Sequence, residues 1–225
     1  VLSQVADKAD FPDQPLANYY LGLAVRQQGH KALDQFALKP AEKPLQNQAK
    51  AHFTRAAGIL TIAVKMLDGR VKTPAGPDGK KPSEELETLL RARCDLAEMQ
   101  LQIGQAKEAL ATTELFFKDP LVSVSRYAGL GNYYHGHAAY LLKDDATAAQ
   151  ALAKTAPFND PAYGVHARYL LARVHHQAGD REEAAALYTA LLTSYDQQVA
   201  AAKEAVKNPA AFKKDPAEFA RLDNL

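Results

Sequence analysis

Histidines are the residues of this chain whose type most readily suggests chemistry, and five of the seven lie between positions 135 and 176. Neutral imidazole is a common zinc ligand, and it also serves as a general base in enzymes. His135 and His137 are two positions apart, while His175 and His176 are adjacent. On a helix such neighbours project from different sides, so neither pair can hold one ion. We therefore expect no metal site, and interpret these histidines as groove residues or as hydrogen-bonding groups between helices.

Cys94 is the only cysteine. A catalytic thiol needs a base held beside it, and the charged neighbours Arg91, Arg93 and Asp95 do not include a histidine. We expect Cys94 to be a small residue packed between helices. A single cysteine also excludes an intramolecular disulfide, which leaves the compartment undetermined: cytoplasmic, or extracytoplasmic without disulfides.

Three pairs of carboxylates could share a proton, namely Glu84–Glu85, Asp144–Asp145 and Glu182–Glu183. Each pair stands at a predicted helix start or turn, where the helix dipole and solvent explain negative charge without acid–base chemistry. The sequence Gly129-Leu130-Gly131 lacks the preceding strand and the further glycine of a phosphate-binding loop. We therefore expect a protein that is not an enzyme and carries no cofactor.

The charge of the chain is balanced, with 27 basic and 26 acidic residues. Such a balance produces no overall field that attracts nucleic acid or anionic lipid, and the pairs Lys80–Lys81 and Lys213–Lys214 lack interleaved aromatic residues. No apolar run approaches the roughly 20 residues that span a bilayer. We expect a soluble segment without nucleic-acid partner or transmembrane helix. Because the chain begins at Val1 and ends just after a helical pattern, we also expect it to belong to a larger polypeptide.

The elements that must position these residues are predicted to be helices nearly throughout. Alanine, leucine, glutamine, lysine and glutamate dominate, and no segment has the alternation of a strand, so we predict an all-α fold. Turns that could join antiparallel helices fall at Gly104, Lys143 and Gly179, which are 39 and 36 residues apart. This spacing is close to a helix-hairpin repeat of about 34 residues.

The predicted hairpins divide the chain into three segments. Residues 1–82 hold N-terminal helices, an irregular hairpin with an insertion between Lys31 and Pro44, and a mobile surface loop over residues 72–82. Residues 83–195 hold three regular hairpins, the last of which begins at Asp160-Pro161. Residues 196–225 form a helical extension or cap that continues to Val206 and ends in two short pieces begun by prolines.

The first helices share a leucine, then a small residue, then a glycine seven positions later: Leu21-Gly22 with Gly29, Leu96-Ala97 with Gly104, and Leu171-Ala172 with Gly179. The second helices share an alanine followed four positions later by a large residue: Ala49 with Phe53, Ala148 with Leu152, and Ala184 with Tyr188. Over roughly residues 15 to 195, this pattern resembles the tetratricopeptide repeat family. The chain departs from the family at two kinds of position. Asn18, Arg93 and Arg168 stand where the first signature residue is a tryptophan, and Thr113, four residues after Ala109, stands where an aromatic residue is expected.

The resemblance implies an α-solenoid of stacked hairpins, whose first helices line a concave groove for a peptide or a partner helix. Tyrosine and arginine are frequent binding anchors. The groove lacks the lysine and asparagine set with which chaperone-binding members hold a C-terminal carboxylate. The groove positions carried over are Tyr19, Arg26, Arg91, Glu98, Tyr133, His137, Tyr140, His166, Tyr169, Arg173 and His176.

We thus interpret the chain as a non-catalytic adaptor for protein–protein interaction. A second interpretation is a structural α-solenoid segment of a larger scaffold, such as a coat-like or envelope-associated assembly. A third, an enzyme accessory domain, depends on the histidines alone.

Overall fold

The protein is all-α over the residues that its computed structural model describes, which are 2–6, 11–155, 158, 160 and 163–207. In this part of the chain no β-strand forms, and no helix is both long and apolar enough to cross a membrane. The predicted all-α class is confirmed. The α-helices are α1 (Leu2–Ala6), α2 (Gln14–Leu38), α3 (Lys43–Asp68), α4 (Glu84–Gln102), α5 (Ala106–Lys118), α6 (Ala128–Leu141), α7 (Asp145–Ala153), α8 (Gly164–Ala178) and α9 (Arg181–Val206).

The chain divides into two compact units, Val1–Asn159 and Asp160–Leu225. The first unit contains α1 to α7, and the second contains α8 and α9. Residues 72–82 lie within the first unit, where α3 packs on α4. This loop is largely exposed, and it closes on itself because Gly76 N donates to Lys81 O at 2.7 Å and Ser83 N donates to Pro74 O at 2.7 Å.

Packing in the first unit follows chain order. The hairpins α2–α3, α4–α5 and α6–α7 each pair their own helices, and α3 and α5 also pack on the first helix of the next hairpin. The first helices contact one another as well, α2 with α4 and α4 with α6. Leu60, Leu90 and Phe116 are among the large side chains buried by this packing. In the second unit α8 packs on α9.

Three hairpin turns have the same backbone conformation. Gly104, Lys143 and Gly179 have φ of 82°, 65° and 85°, the left-handed region that ends many helices. In each turn the next N–H donates to a carbonyl five residues back, from Gln105 to Gln100 at 2.8 Å in the first case. The other two bonds run from Asp144 to Ala139 at 3.0 Å and from Asp180 to His175 at 2.9 Å. The three predicted turn positions are confirmed.

Gly29 has the same place in the repeat pattern as the turn glycines Gly104 and Gly179. Unlike them, it does not end its helix. Helix α2 continues to Leu38, and α3 begins at Lys43, so the extra residues mostly lengthen the hairpin. Good helix formers such as Ala32 and Leu33 follow Gly29, and no proline interrupts the helix before Pro40. Position 29 needs a glycine for another reason, because a Cβ there would lie 2.5 Å from the ring of Phe53 on α3.

The same close approach recurs at other glycines of the first helices. A Cβ on Gly22 would lie 2.7 Å from the side chain of Leu60, and a Cβ on Gly131 would overlap the ring of Phe116. A Cβ on Gly136 would lie 2.6 Å from the side chain of Leu152. Gly136 stands seven residues before Lys143, the spacing that the pattern gives to Ala97 and Ala172 before their turns.

Two helices of the first unit start in different ways. Ser83 caps α4 by accepting from Leu86 N at 3.3 Å. Helix α6 begins at Ala128, after a 3-10 turn at Val122–Val124.

The ends of the second unit also differ from the prediction in detail. Helix α8 begins at Gly164, and the Asp160 carboxylate accepts from Tyr163 N at 3.1 Å. Pro161, predicted at the first helical position, lies outside the described residues, as do Pro209 and Pro216. The predicted continuation of α9 to Val206 is confirmed.

Candidate functional site

The predicted groove residues of α2 and α4 belong to one set of interacting side chains in the first unit. We call this set the α2–α4 polar cluster. Its ionisable groups bridge two first helices that pack on each other. Its members are Tyr19, Arg26 and His30 of α2, and Arg91, Asp95 and Glu98 of α4.

Asp95 is the centre of the cluster. One carboxylate oxygen accepts from the Tyr19 hydroxyl at 2.7 Å, and the other accepts from the Arg26 guanidinium. Tyr19 is only 2% exposed, and both burial and the hydrogen bond to Asp95 raise its pKa far above the ordinary range. Tyr19 therefore packs beneath the exposed side chains of the cluster, and its ring is not exposed to solvent.

Glu98 contacts two side chains of α2, Arg26 and His30. It accepts from Arg26 Nη1 at 3.1 Å, and it lies 3.1 Å from His30 Nε2. Arg26 is less than one-third exposed, and its Nε is buried without a hydrogen-bond partner. The two carboxylates thus fix the Arg26 side chain in one orientation, since a guanidinium held by two anions has little rotamer freedom.

Arg91 completes the cluster but makes no ion pair with a described residue. Its guanidinium lies 5.9 Å from the ring centroid of Tyr19, a cation–π contact. Asp95 is one helical turn away, at the spacing of a common ion pair. Asp95 bonds to Tyr19 and Arg26 of α2 instead, and Arg91 is exposed at the surface.

Tyrosines of α6 extend the polar surface within the first unit. Burial raises the pKa of Tyr133 to about 12, with a further contribution from the negative charge of Glu98. The pKa of Tyr134 is raised still more, by burial first and then by Glu98. The predicted residue His137 lies with its ring 5.9 Å from that of Tyr133, and Tyr140 lies under the Lys143 ammonium at 5.6 Å.

The second unit holds a separate group, which we call the α8–α9 aromatic cluster: His166, Tyr169, Arg173, His176 and Tyr188. Arg173 donates to the Tyr169 hydroxyl at 3.1 Å and stacks over the Tyr169 ring at 5.8 Å. Tyr188 of α9 contacts the rings of both Tyr169 and His176, at 6.5 Å and 6.3 Å. Burial lowers the pKa of His166. The four predicted positions of α8 therefore lie close together.

His135 has a different environment from the other histidines. It is 4% exposed, its Nδ1 lies 3.1 Å from the Thr113 hydroxyl, and its ring stacks on Phe117 at 4.9 Å. Burial lowers its pKa. It lines a cavity of about 350 Å³ between α5 and the start of α7, which Lys107, Glu114 and Asp144 also line.

The remaining chemical candidates have structural surroundings. Cys94 is buried in the core, and burial raises the pKa of its thiol well above the ordinary value. His175 lies 3.0 Å from Asp180 at the α8–α9 turn. In the described part of the chain no three His, Cys, Asp or Glu residues are grouped as a metal site.

Sequence reasoning missed His30 and Asp95. A signal for both was present, because His30 is four residues after Arg26, and Asp95 is four after Arg91 and three before Glu98. Such spacings place residues on one helix face. What the sequence did not contain is the pairing of those faces across α2 and α4.

Comparisons with models of protein families, with curated proteins and with solved structures gave no match. The function must therefore be argued from these two clusters and from the packing of the helices that carry them.

Proposed function

We propose that this chain is a non-catalytic adaptor, a tetratricopeptide-like α-solenoid that binds a peptide or a helix of a partner protein on the concave face lined by its first helices. Each hairpin would contribute its first helix to this face and its second helix to the opposite side. The predicted groove residues that reach the surface would then contact the partner, whereas the buried Tyr19 and Tyr133 would support them.

Two features of the packing support the repeat. In the first unit the first helices contact one another in chain order, and α3 and α5 also pack on the first helix that follows each of them. The turns at Gly104, Lys143 and Gly179 share one left-handed conformation and one hydrogen-bond pattern. Repetition of one local hairpin is what a solenoid requires, because each repeat buries its apolar side against its neighbour.

The observation that carries the proposed binding role is the α2–α4 polar cluster. Ion pairs that are partly removed from water add little to stability, and apolar residues of similar size often stabilise a fold as well or better. Here polar side chains instead hold one another at a helix–helix contact, with Arg26 fixed by Asp95 and Glu98. Tyrosine and arginine in fixed orientations are typical of binding hot spots.

Selection from a phage-displayed library of random peptides tests the role and needs no identified partner. The full chain should enrich peptides above an unrelated control protein. Binding of an enriched peptide, measured by fluorescence anisotropy, should weaken in an Arg91→Ala variant of α4 or in a Tyr169→Ala, Arg173→Ala variant of α8. The matched control is Tyr195→Ala on α9, since Tyr195 is exposed to a similar extent as Tyr169.

Absence of enrichment, or binding that is unchanged by both the α4 and the α8 substitutions, would contradict the adaptor role. The alternative, a structural segment of a larger assembly, is favoured by large apolar residues exposed outside the first helices' groove positions. Leu38 near the tip of the α2–α3 hairpin is 83% exposed, and Leu192 on α9 is 63% exposed. Binding lost on Tyr195→Ala or Leu192→Ala, and retained in the α8 variant, would support that alternative.

A further inference from the structure

We propose that a cavity beside the α4–α5 turn binds a large apolar side chain in an uncharged, extended segment of the partner. This inference rests on the proposed adaptor function and adds a second place of contact, outside the predicted groove residues. The cavity has a volume of about 580 Å³ and lies among Leu33 of α2, Asn47 and Phe53 of α3, and Ile103 at the end of α4. We call it the α3–α4 cavity. Its volume is within the range of sites that hold small ligands.

The cavity lies where two neighbouring hairpins differ in length. Helix α4 ends at Gln102 and its turn follows at Gly104, whereas α2 continues past Gly29 to Leu38. The lengthened part of the α2–α3 hairpin therefore has no counterpart in the α4–α5 hairpin. Leu33 belongs to that lengthened part, and the cavity separates it from the end of α4.

The buried side of the cavity is apolar and fixed in place. Phe53 is 3% exposed, and its ring packs against Gly29 and lies 5.1 Å from the His30 ring in an edge-to-face contact. Leu33 and Ile103 are half-buried, so each leaves part of its apolar surface in contact with water. An apolar side chain that covers this surface removes apolar area from water on both partners, which favours binding.

The exposed side of the cavity carries carboxamides, from Gln46 and Asn47 of α3 and Gln102 of α4. A carboxamide both donates and accepts hydrogen bonds, and each peptide group of an extended segment also has one donor and one acceptor. The side chain of the ligand can thus enter the apolar part while its neighbouring peptide groups bond to the carboxamides. This arrangement favours a residue within a peptide over an isolated hydrocarbon.

Charge distinguishes this cavity from the one that His135 lines. Of the described residues that line the α3–α4 cavity, Lys50 alone is ionisable, and it is exposed, so its ammonium keeps its water. Lys107, Glu114 and Asp144 all line the other cavity. A charged group that leaves water without a counter-ion loses free energy of hydration that nothing replaces. The side chain that enters the α3–α4 cavity should therefore be uncharged.

The test uses a probe that carries one apolar side chain between two peptide groups, N-acetyl-leucine methylamide. It is titrated into the full chain labelled with ¹⁵N, and the side-chain amide signals are followed by nuclear magnetic resonance. The signals of Gln46, Asn47 and Gln102 should shift with a Kd on the order of 1 mM. The signal of Gln48, an exposed residue of α3 outside the lining, should not shift. The corresponding glutamate derivative should shift none of them at the same concentration.

Two variants test the two sides of the cavity. Leu33→Gln should weaken binding of the leucine probe about tenfold, whereas Leu38→Gln, on the same helix and 83% exposed, should leave it unchanged. A Gln46→Ala, Asn47→Ala variant changes only exposed side chains and should also weaken binding about tenfold. Gln48→Ala is its matched control. Equal melting temperatures of the wild type and its variants establish that the variants fold.

Unchanged signals with the leucine probe, equal shifts with the glutamate derivative, or binding that survives both variants would overturn the inference. A dimer in sedimentation that the probe dissociates would also overturn it, because a second copy of the chain would then be the occupant. In each case selected peptides whose binding depends on Arg91, or on Tyr169 and Arg173, would leave the adaptor role standing.

Discussion

Two kinds of helix–helix contact in the first unit differ in chemistry. Within the hairpins, and between α5 and α6, a large apolar side chain packs directly on a glycine of a first helix, as Phe116 packs on Gly131. Between the first helices α2 and α4, a buried tyrosine, an arginine and two carboxylates hold one another. The apolar contacts leave no room for a methyl group, whereas the polar contact leaves Arg91 at the surface without a counter-ion among the described residues.

The two kinds of contact differ in what they contribute to stability. Close packing of apolar side chains against glycine supplies dispersion and hydrophobic energy, and it fixes how near two helices lie. A partly buried ion-pair network contributes less stability for the same area. A protein that keeps such a network between first helices gains fixed polar side chains at a surface. We expect the two contacts to respond differently to substitution.

The largest effect should follow from filling an apolar contact. Gly131→Ala places a methyl group against the ring of Phe116, at 2.2 Å from its nearest atom, and that ring is only 1% exposed. We expect the free energy of unfolding to fall by about 3 kcal/mol. Urea unfolding followed by circular dichroism measures it. The control is Gly58→Ala in α3, where a Cβ meets nothing within 4 Å, and this change should stabilise by about 0.5–1 kcal/mol. Equal responses at both glycines would refute the close-packing account.

The polar contact should give a smaller loss. Asp95→Asn removes the charge that Arg26 and Tyr19 share, while Glu98 still pairs with Arg26. We expect a loss of about 2 kcal/mol, since two partly buried donors lose a charged acceptor. Asp34→Asn on the exposed part of α2 is the control and should be near neutral. A loss at Asp95 as large as that at Gly131 would mean that the polar contact is a main source of stability.

The sequence predicted the turns and the general class, because left-handed helix ends and helix propensity are local properties. Gly104 and Gly179 were recognisable by residue type, and Lys143 by its spacing between them. Gly29 has the spacing of the turn glycines but lies inside α2, since a glycine needed for close packing looks the same in sequence as one needed for a turn. The pairing of Asp95 with Tyr19 and Arg26 joins residues about seventy positions apart, so no local pattern could reveal it.

A third prediction concerns the turn at Lys143. A residue with a Cβ is strained at φ 65°, whereas glycine is not. Lys143→Gly should therefore raise stability by about 1 kcal/mol, slightly reduced by loss of the contact with Tyr140. Gly104→Ala, at the equivalent turn, should lower stability by a similar amount. Thermal unfolding of both variants checks this, and the absence of both changes would show that the two turns are not equivalent.

The smallest effect should be confined to mildly acidic solution. Burial lowers the pKa of His135, so below about pH 6.5 the unfolded chain binds a proton that the folded protein resists. The free energy of unfolding should have its full value above that pH, and it should decrease as the pH falls toward the lowered pKa of His135 in the folded state. His166 should add to this decline, because burial lowers its pKa too. His135→Gln should flatten the curve in part when unfolding is measured between about pH 7 and pH 5. An unchanged slope would show that His135 does not titrate in this window.

The most direct test of the central claim, that the first helices form the binding face, is nuclear magnetic resonance of the arginine Nε–H groups. An enriched peptide is titrated into the full chain labelled with ¹⁵N, and substitutions assign each signal. Within whichever unit the peptide binds, the account predicts a shift for the arginine on the first helix, Arg91 of α4 or Arg173 of α8, and none for the arginine on the second helix, Arg55 of α3 or Arg181 of α9. A shift of Arg55 or Arg181 alone, with the peptide bound, would contradict it.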